Sequence, residues 1–166
     1  MRIHTILVPT DFSDSAAAAL KWADELAAAL SARIVLLHAM DLTLQWVPAG
    51  PAVIPAPVPP AVVRRIRERA GASLDAVAAK TSHVARRLLR SGHARDVILS
   101  AANEVTANLI VMGTHGRRGV EHLFLGSVAE YVVRNAPIPV MTVRARRLPL
   151  RGTRAAKTGA RRRGAR

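Results

Sequence analysis

Two patterns of apolar residues follow one another along this chain. Short, nearly continuous apolar runs are typical of strands buried on both faces, whereas longer segments with apolar residues three or four apart indicate helices. The first helical segment shows this spacing at Leu20, Ala23 and Ala27. The prediction alternates strictly between strands at 5–8, 34–38, 83–90, 109–112 and 139–143 and helices at 14–30, 61–80, 94–105 and 127–135.

This alternation indicates an α/β fold, a three-layer sandwich with a parallel sheet between two layers of helices. Ligands of such folds bind outside the carboxyl ends of the strands. Two predicted strands end in polar loops, Pro9–Asp11 after the first strand and Gly113–Gly116 after the fourth. If these strands are neighbours in the sheet, the two loops face each other.

Residues 41–60 interrupt the alternation with a proline-rich segment. Six prolines lie between residues 48 and 60, and we expect a long loop because proline lacks a backbone donor. The loop could be a lid over a site or a solvated connector, and Trp46 could cover a ligand or pack the loop down. The sequence leaves both alternatives open.

A glycine pattern is the most specific chemical signal. Gly113, Gly116 and Gly126 followed by Ser127 have the spacing G-x2-G-x9-G-S, directly after one strand and directly before a helix. Glycines let backbone N–H groups approach a phosphate, and a helix N-terminus favours negative charge. The pattern therefore predicts an anion cradle. A structural role is also open, since the glycines could shape turns and Ser127 could form a capping box with Glu130.

Composition narrows the class of protein. Half of the 166 residues are hydrophobic, enough for one domain with a substantial core, and the absence of cysteine excludes disulfides and thiolate chemistry. The longest apolar runs are too short to span a bilayer, and the first residues do not resemble a signal peptide. We expect a cytoplasmic protein without membrane contact, with a domain at 1–145 and a tail at 146–166.

The net charge of +14 lies mostly in that tail. Residues 146–166 carry nine Lys and Arg and no acid, which leaves +5 for residues 1–144. A segment so charged cannot repay its ordering entropy, so we expect it to be disordered. Weak contact of the tail with nucleic acid is one hypothesis, but only five aromatic residues in the chain argue against a stacking platform for single strands.

Four segments together resemble a known family, and they are 6–11, 35–39, 109–117 and 126–143. With the complete glycine motif, residues 3–144 resemble the universal stress proteins, of the branch that binds ATP. The resemblance implies a five-stranded parallel sheet in strand order 3-2-1-4-5, as in adenine-nucleotide alpha-hydrolase-like folds. It also implies a homodimer formed along the fifth strand, from Val140 to Arg144, and an exposed apolar edge strand favours such pairing.

The resemblance further implies an adenine-nucleotide site between the two polar loops. Asp11 would accept hydrogen bonds from the ribose hydroxyls, and a Mg²⁺ could bridge phosphate oxygens with few protein ligands. The remaining expected contacts are Pro9, Thr10 and Ala39 on the adenine side, Met112 and Gly113 against the nucleoside, and Gly116, Arg117, Gly126, Ser127 and Val128 around the phosphates. Taken alone, Asp11 is better explained as a cap of the first helix.

These features predict an ATP-binding protein with a regulatory or protective role in stress, in which the nucleotide sets a conformation. We expect slow hydrolysis at most, because no carboxylate and lysine arrangement accompanies the motif. His38 is expected to be a packed histidine and His115 a passive one. One alternative is a dimeric interaction module of the same fold that binds no nucleotide, and another is nucleic-acid association through the tail.

Overall fold

The computed structural model describes residues 2–42, 45–49, 52–56, 58–114 and 125–145. Residues 45–49 and 52–56 are described by their backbone alone. Helices and strands alternate along most of these ranges. The strands are β1 (Thr5–Pro9), β2 (Arg33–Met40), β3 (Gln45–Ala49), β4 (Ala52–Ala56), β5 (Val84–Ser91), β6 (Leu109–Gly113) and β7 (Val140–Val143). The helices are α1 (Asp14–Leu30), α2 (Pro60–Ala78), α3 (Ala94–Glu104) and α4 (Ser127–Asn135).

Five strands form one parallel sheet in the order β5-β2-β1-β6-β7. These are the five strands predicted from the sequence, and their order confirms the expected 3-2-1-4-5 arrangement. Strand β1 lies at the centre and pairs with β2 on one side and β6 on the other. The two polar loops that follow β1 and β6 therefore leave the same edge of the sheet from adjacent strands.

Alternate residues of the central strands point into two separate cores. Ile6 and Val8 pack with the α1 and α2 side chains, whereas Leu7 and Ile110 pack with those of α3 and α4. Both faces of the sheet are thus covered, which explains why the central strands are continuously apolar. The three-layer sandwich predicted from the alternation is confirmed.

Helix α1 packs closely on the sheet because its buried face is built from small residues. Ala16, Ala19, Ala23 and Ala27 are buried at intervals of three and four residues. Ser13 caps the helix, since its Oγ accepts a hydrogen bond from the backbone N–H of Ala16 at 3.3 Å. This agrees with the predicted helix start and brings the first turn of α1 to the edge where β1 ends.

The proline-rich segment contains two strands that the sequence did not predict. β3 and β4 form an antiparallel pair separate from the main sheet, with Trp46 opposite Pro55 and Pro48 opposite Val53. These two pairs are two positions apart in the register, so both are of the same type. Antiparallel pairs of the type that exchanges no hydrogen bonds accept proline without losing a bond from the ladder. The expectation of a loop over 41–60 was wrong for these ten residues.

Smaller differences occur at element ends. Helix α2 begins at Pro60 and ends at Ala78, two residues before the predicted Lys80, and β7 begins at Val140, one residue after the predicted Pro139. None of the described helices has the length and apolar character needed to cross a membrane. The predicted tail at 146–166 and the residues 115–124 lie outside the described residues.

Candidate functional site

The loop after β1 is held by hydrogen bonds from its own side chains and from β2. The backbone N–H of Thr10 donates to the carbonyl of Leu37 at 2.8 Å, and Thr10 Oγ1 accepts from the N–H of Phe12 at 3.1 Å. Thr10 is buried. The loop is therefore shaped by the protein itself and does not need a ligand to form.

Asp11 is oriented by the helix cap that follows it. Its Oδ1 accepts hydrogen bonds from Ser13 Oγ at 2.6 Å and from the Ser13 backbone N–H at 3.1 Å. The same serine caps α1, so the carboxylate and the helix start are linked. Asp11 itself does not cap the helix, so the capping alternative considered for it was wrong. The link to Ser13 instead holds the half-buried carboxylate in a defined place at the edge of the sheet.

Phe12 has a backbone conformation that a bulky residue rarely adopts. Its φ is +66°, in the left-handed region, which is unfavourable by about 1–2 kcal/mol for a residue with a Cβ. The Phe12 ring lies against the ring of His38, with 4.4 Å between centroids. His38 Nδ1 donates to the Thr10 carbonyl at 2.7 Å, because a carbonyl oxygen can only accept. His38 is a packed histidine, as expected, and it fixes this loop.

A main-chain hydrogen bond joins the two ends of the glycine motif. The backbone N–H of Gly126 donates to the carbonyl of Thr114 at 2.7 Å, and the N–H of Thr114 donates to Val143 at 2.9 Å. Thr114 is buried. This contact brings the start of α4 beside the carboxyl end of β6, although eleven residues separate Thr114 from Gly126 in the sequence.

The start of α4 exposes backbone donors at this edge. Gly126 is the N-cap, with φ −72° and ψ 154°, and its carbonyl accepts from the N–H of Glu130 at 2.9 Å. Ser127 is thus the first helical residue, and the capping box expected from Ser127 and Glu130 was wrong. The first N–H groups of a helix have no acceptor within it, so the donors of the Ser127–Ala129 turn favour an anion.

Gly113 has a structural reason of its own to be glycine. A Cβ at this position would lie 2.8 Å from the backbone carbon and the Oγ of Ser15, and 3.0 Å from the backbone nitrogen of Ala16. The first turn of α1 therefore packs directly on the end of β6. This contact accounts for Gly113 without a ligand, whereas the φ and ψ of Gly126 are accessible to any residue.

Comparisons with known proteins agree with this architecture. The model of the universal stress protein family matches residues 2–144. The chain belongs to the universal stress protein family. The "Universal stress protein in QAH/OAS sulfhydrylase 3'region" of Thermus aquaticus is 38% identical over 142 residues, which are 84% of this chain and 98% of that protein. The resemblance expected from the sequence motifs is confirmed.

Solved structures of this family share the fold. A universal stress family protein from Burkholderia pseudomallei is 32% identical, with a TM-score of 0.65 over 85% of this chain and 96% of the other. A universal stress protein solved in complex with cAMP is 25% identical, with a TM-score of 0.56 over 88% of this chain and all of the other.

In this family member, most of the predicted site residues lie at one edge of the sheet. They are Pro9, Thr10 and Asp11 at the end of β1, Ala39 near the end of β2, Met112 and Gly113 at the end of β6, and Gly126, Ser127 and Val128 at the start of α4. Gly116, Arg117 and His115 lie outside the described residues. The described residues contain no cluster of three or more His, Asp or Glu that could hold a metal ion.

Three contacts that shape this universal stress protein's site were not predicted from the sequence. Thr114 makes the main-chain contact to Gly126, Phe12 stacks on His38, and Ser13 holds Asp11. Only Ser13 had a usable signal, since an aspartate two residues before a helix-capping serine is typical of a side-chain turn. Nothing in the identity of Phe12 indicates a left-handed conformation.

Proposed function

We propose that this universal stress protein binds ATP between the loop after β1 and the start of α4. In this proposal the nucleotide regulates a cytoplasmic homodimer with a protective role in stress. The observation that carries the proposal is the hydrogen bond from Gly126 N–H to the Thr114 carbonyl at 2.7 Å. It holds the donor end of α4 at the same edge as Asp11, where a nucleoside triphosphate needs both groups.

The chemistry of the described residues fits an adenine nucleotide. The first turn of α4 supplies N–H donors for phosphate oxygens, and the oriented carboxylate of Asp11 is an acceptor for ribose hydroxyls. Pro9, Thr10 and Ala39 would lie on the adenine side, Met112 and Gly113 against the nucleoside, and Gly116 and Arg117 would complete the phosphate contacts. A Mg²⁺ would be held mainly by phosphate oxygens and water.

The comparison with solved relatives supports an adenine nucleotide as the ligand class. A relative that is 25% identical was solved in complex with cAMP, which shares the adenosine part of ATP. We assign no catalytic residue, and the proposal is a binding site with slow hydrolysis at most. A nucleotide that is bound and not turned over can act only through its different affinities for two conformations.

Titration calorimetry with Mg-ATP tests this proposal. Gly126→Val should weaken binding by about tenfold or more, because its branched side chain would cover donors of the α4 start, each worth over 1 kcal/mol. Gly71→Ala is the matched control, since a Cβ on Gly71 meets nothing within 4 Å. Wild-type protein that fails to bind at millimolar ATP, or Gly126→Val protein that binds normally, would contradict the proposal.

Asp11→Asn gives a second, narrower test of the ribose contact. The amide oxygen still accepts from Ser13, so the loop keeps its shape while the charge is lost. We expect ATP affinity to fall by about three- to tenfold, the loss of part of a charge-assisted hydrogen bond. Unchanged affinity would remove Asp11 from the site without removing the phosphate contacts.

A dimeric module that binds no nucleotide is the second candidate. It is favoured by two contacts, since Ser13 already occupies Asp11 Oδ1 and the close approach of α1 already explains Gly113. In that case both residues are structural, and the titrations above would show no ATP binding to the wild-type protein.

The homodimer is proposed along β7, the edge strand of the sheet. The carbonyls of Pro139 and Val143 accept from β6, so alternation turns the backbone N–H of Val140 and Thr142 toward the open edge. Thr142→Pro should therefore remove an outward donor and give monomers in sedimentation velocity, whereas Thr142→Val should stay dimeric. A dimeric Thr142→Pro protein would place the interface elsewhere.

A further inference from the structure

A cavity lies between α1 and α2, on the helical layer that covers one face of the sheet. Its volume is about 410 Å³, within the size range of small-molecule sites. One wall is a face of α1 with residues three or four apart, including Ala17, Lys21 and Asp24, and the opposite wall comes from the end of α2. The loop after β1 closes one end through Phe12 and Ser13.

Two lysines face this groove from opposite walls, Lys21 on α1 and Lys80 just after α2. Neither forms an ion pair or a side-chain hydrogen bond with any residue in the described ranges. By contrast, the arginines of β5 at 86, 87 and 90 are all paired with acids. The chain has 22 Arg and three Lys, and two of those three lysines line this one groove.

Two acids also line the groove, Asp14 and Asp24, and neither forms an ion pair with a lysine in the described part of the chain. Asp24 Oδ1 accepts from Thr81 Oγ1 and lies 2.6 Å from His83 Nδ1, so these two residues already engage its carboxylate. Asp14 lies in the first turn of α1, about 10 Å along the helix axis from Lys21 at 1.5 Å per residue. Both ammonium groups therefore remain available to an anionic ligand.

The rest of the lining is apolar. Phe12, Leu20 and Val77 contribute side chains to the groove, and Leu20 belongs to the buried core beneath it. An apolar floor beside two ammonium groups matches a ligand that combines an apolar body with one acidic group. Free inorganic anions would leave the apolar surface uncovered, and neutral apolar molecules would leave the lysines without partners.

We propose that the α1–α2 groove binds a small organic anion, a phosphate or carboxylate attached to an aromatic or apolar body. The acidic group lies between Lys21 and Lys80, and the body lies on Phe12, Leu20 and Val77. This groove lies apart from the start of α4 and shares Thr10 with the residues proposed to contact the adenine. The proposal does not depend on ATP binding at α4.

Phenyl phosphate is a suitable probe for the full chain. We expect saturable shifts in ¹H–¹⁵N spectra at the amides of Ala17, Lys21, Lys80 and Thr81. Lys21→Gln and Lys80→Gln should each weaken binding by about fivefold or more, the loss of one charge-assisted contact. Arg134→Gln is the matched control, since it removes one exposed positive charge from α4 on the opposite layer and should change affinity by less than about twofold.

Two further ligands separate the contributions of charge and apolar surface. Inorganic phosphate and benzyl alcohol each carry half of the probe, so each should bind about tenfold or more weakly than phenyl phosphate. The proposal would be overturned if the affinity for phenyl phosphate fell equally in Arg134→Gln and in the lysine variants. It would also be overturned if neither lysine variant lowered the affinity. Shifts confined to Ser127 and Val128 would also overturn it, and would at the same time support an anion site at α4.

Discussion

The two loops of the candidate site are built by different means. The loop after β1 is closed by side chains, since Ser13 holds Asp11 and His38 supports the strained backbone at Phe12. The segment after β6 is closed by the main chain, through Thr114 and Gly126. The first arrangement presents an oriented carboxylate, and the second leaves helix donors available. The difference suggests that side-chain substitutions will disturb the first loop and backbone crowding the second.

The largest expected effect separates the two glycines of the second loop. Gly113→Ala should destabilise the protein by about 2–3 kcal/mol, because the new Cβ meets the backbone of α1. Gly126→Ala should change stability by less than about 1 kcal/mol, because its backbone angles suit alanine and only a cap preference is lost. Urea unfolding followed by circular dichroism measures both.

The different stability losses expected at Gly113 and Gly126 determine which of the two positions suits a binding test. A Gly113 variant that loses ATP binding would report on folding as much as on the ligand, so Gly126 is the cleaner position. Equal stability of the two alanine variants would mean that α1 can move away from β6 without loss. In that case Gly113 would regain a place among the ligand contacts.

The next effect compares the serines that begin the two helices. Ser13→Ala removes the cap of α1 and the hydroxyl hydrogen bond to Asp11, while the backbone N–H of residue 13 still donates to Asp11, so we expect a loss of about 1–2 kcal/mol. Ser127→Ala should leave stability within about 0.5 kcal/mol, because Ser127 is the exposed first residue of α4 and alanine is a better helix former.

ATP affinity, measured by calorimetry with Mg-ATP, gives a second comparison, in which Ser127→Ala is the variant expected to show a direct loss. If the Ser127 hydroxyl contacts phosphate, Ser127→Ala should lower affinity while its unfolding curve stays unchanged. A destabilised Ser127→Ala protein would restore the capping role that the position of Gly126 argues against.

The sheet could be predicted because burial on both faces leaves a direct mark on the sequence. Leu109–Met112 reads as a strand for the same reason that it packs against helices on either side. The β3–β4 pair could not be predicted, because its tolerance of Pro48 and Pro55 depends on the register of two strands. Local composition carries no information about that register.

The sequence indicated which segments form the candidate site better than it indicated what each residue does there. The glycine spacing drew attention to two segments that the structure joins through Thr114 and Gly126, and their part in a binding site stays a prediction. The structure gives Gly113 a different reason, a contact with α1, which is distant in the sequence. The N-cap of α4 is Gly126, one residue before the Ser127 expected from the sequence. Ser127 and Glu130 have the spacing of a capping box, and that spacing alone does not show which residue begins the helix. Contacts between elements decide such details, and a single sequence records only their consequences.

The smallest effect isolates the backbone strain at Phe12. Phe12→Gly and Phe12→Ala both remove the ring that stacks on His38, so they lose the same aromatic contact. They differ in the left-handed conformation, which glycine adopts freely and alanine does not. Phe12→Gly should therefore be more stable than Phe12→Ala by about 1 kcal/mol, the reverse of their usual order.

Thermal and urea unfolding of the two Phe12 variants measure this difference directly. If alanine is the more stable of the two, the loop relaxes once the ring is gone, and His38 with the Thr10 carbonyl does not hold it alone. If glycine is more stable, the loop keeps its shape without the ring. The carboxylate of Asp11 is then positioned by the main chain and Ser13, and the first loop depends on its hydrogen bonds more than on its aromatic packing.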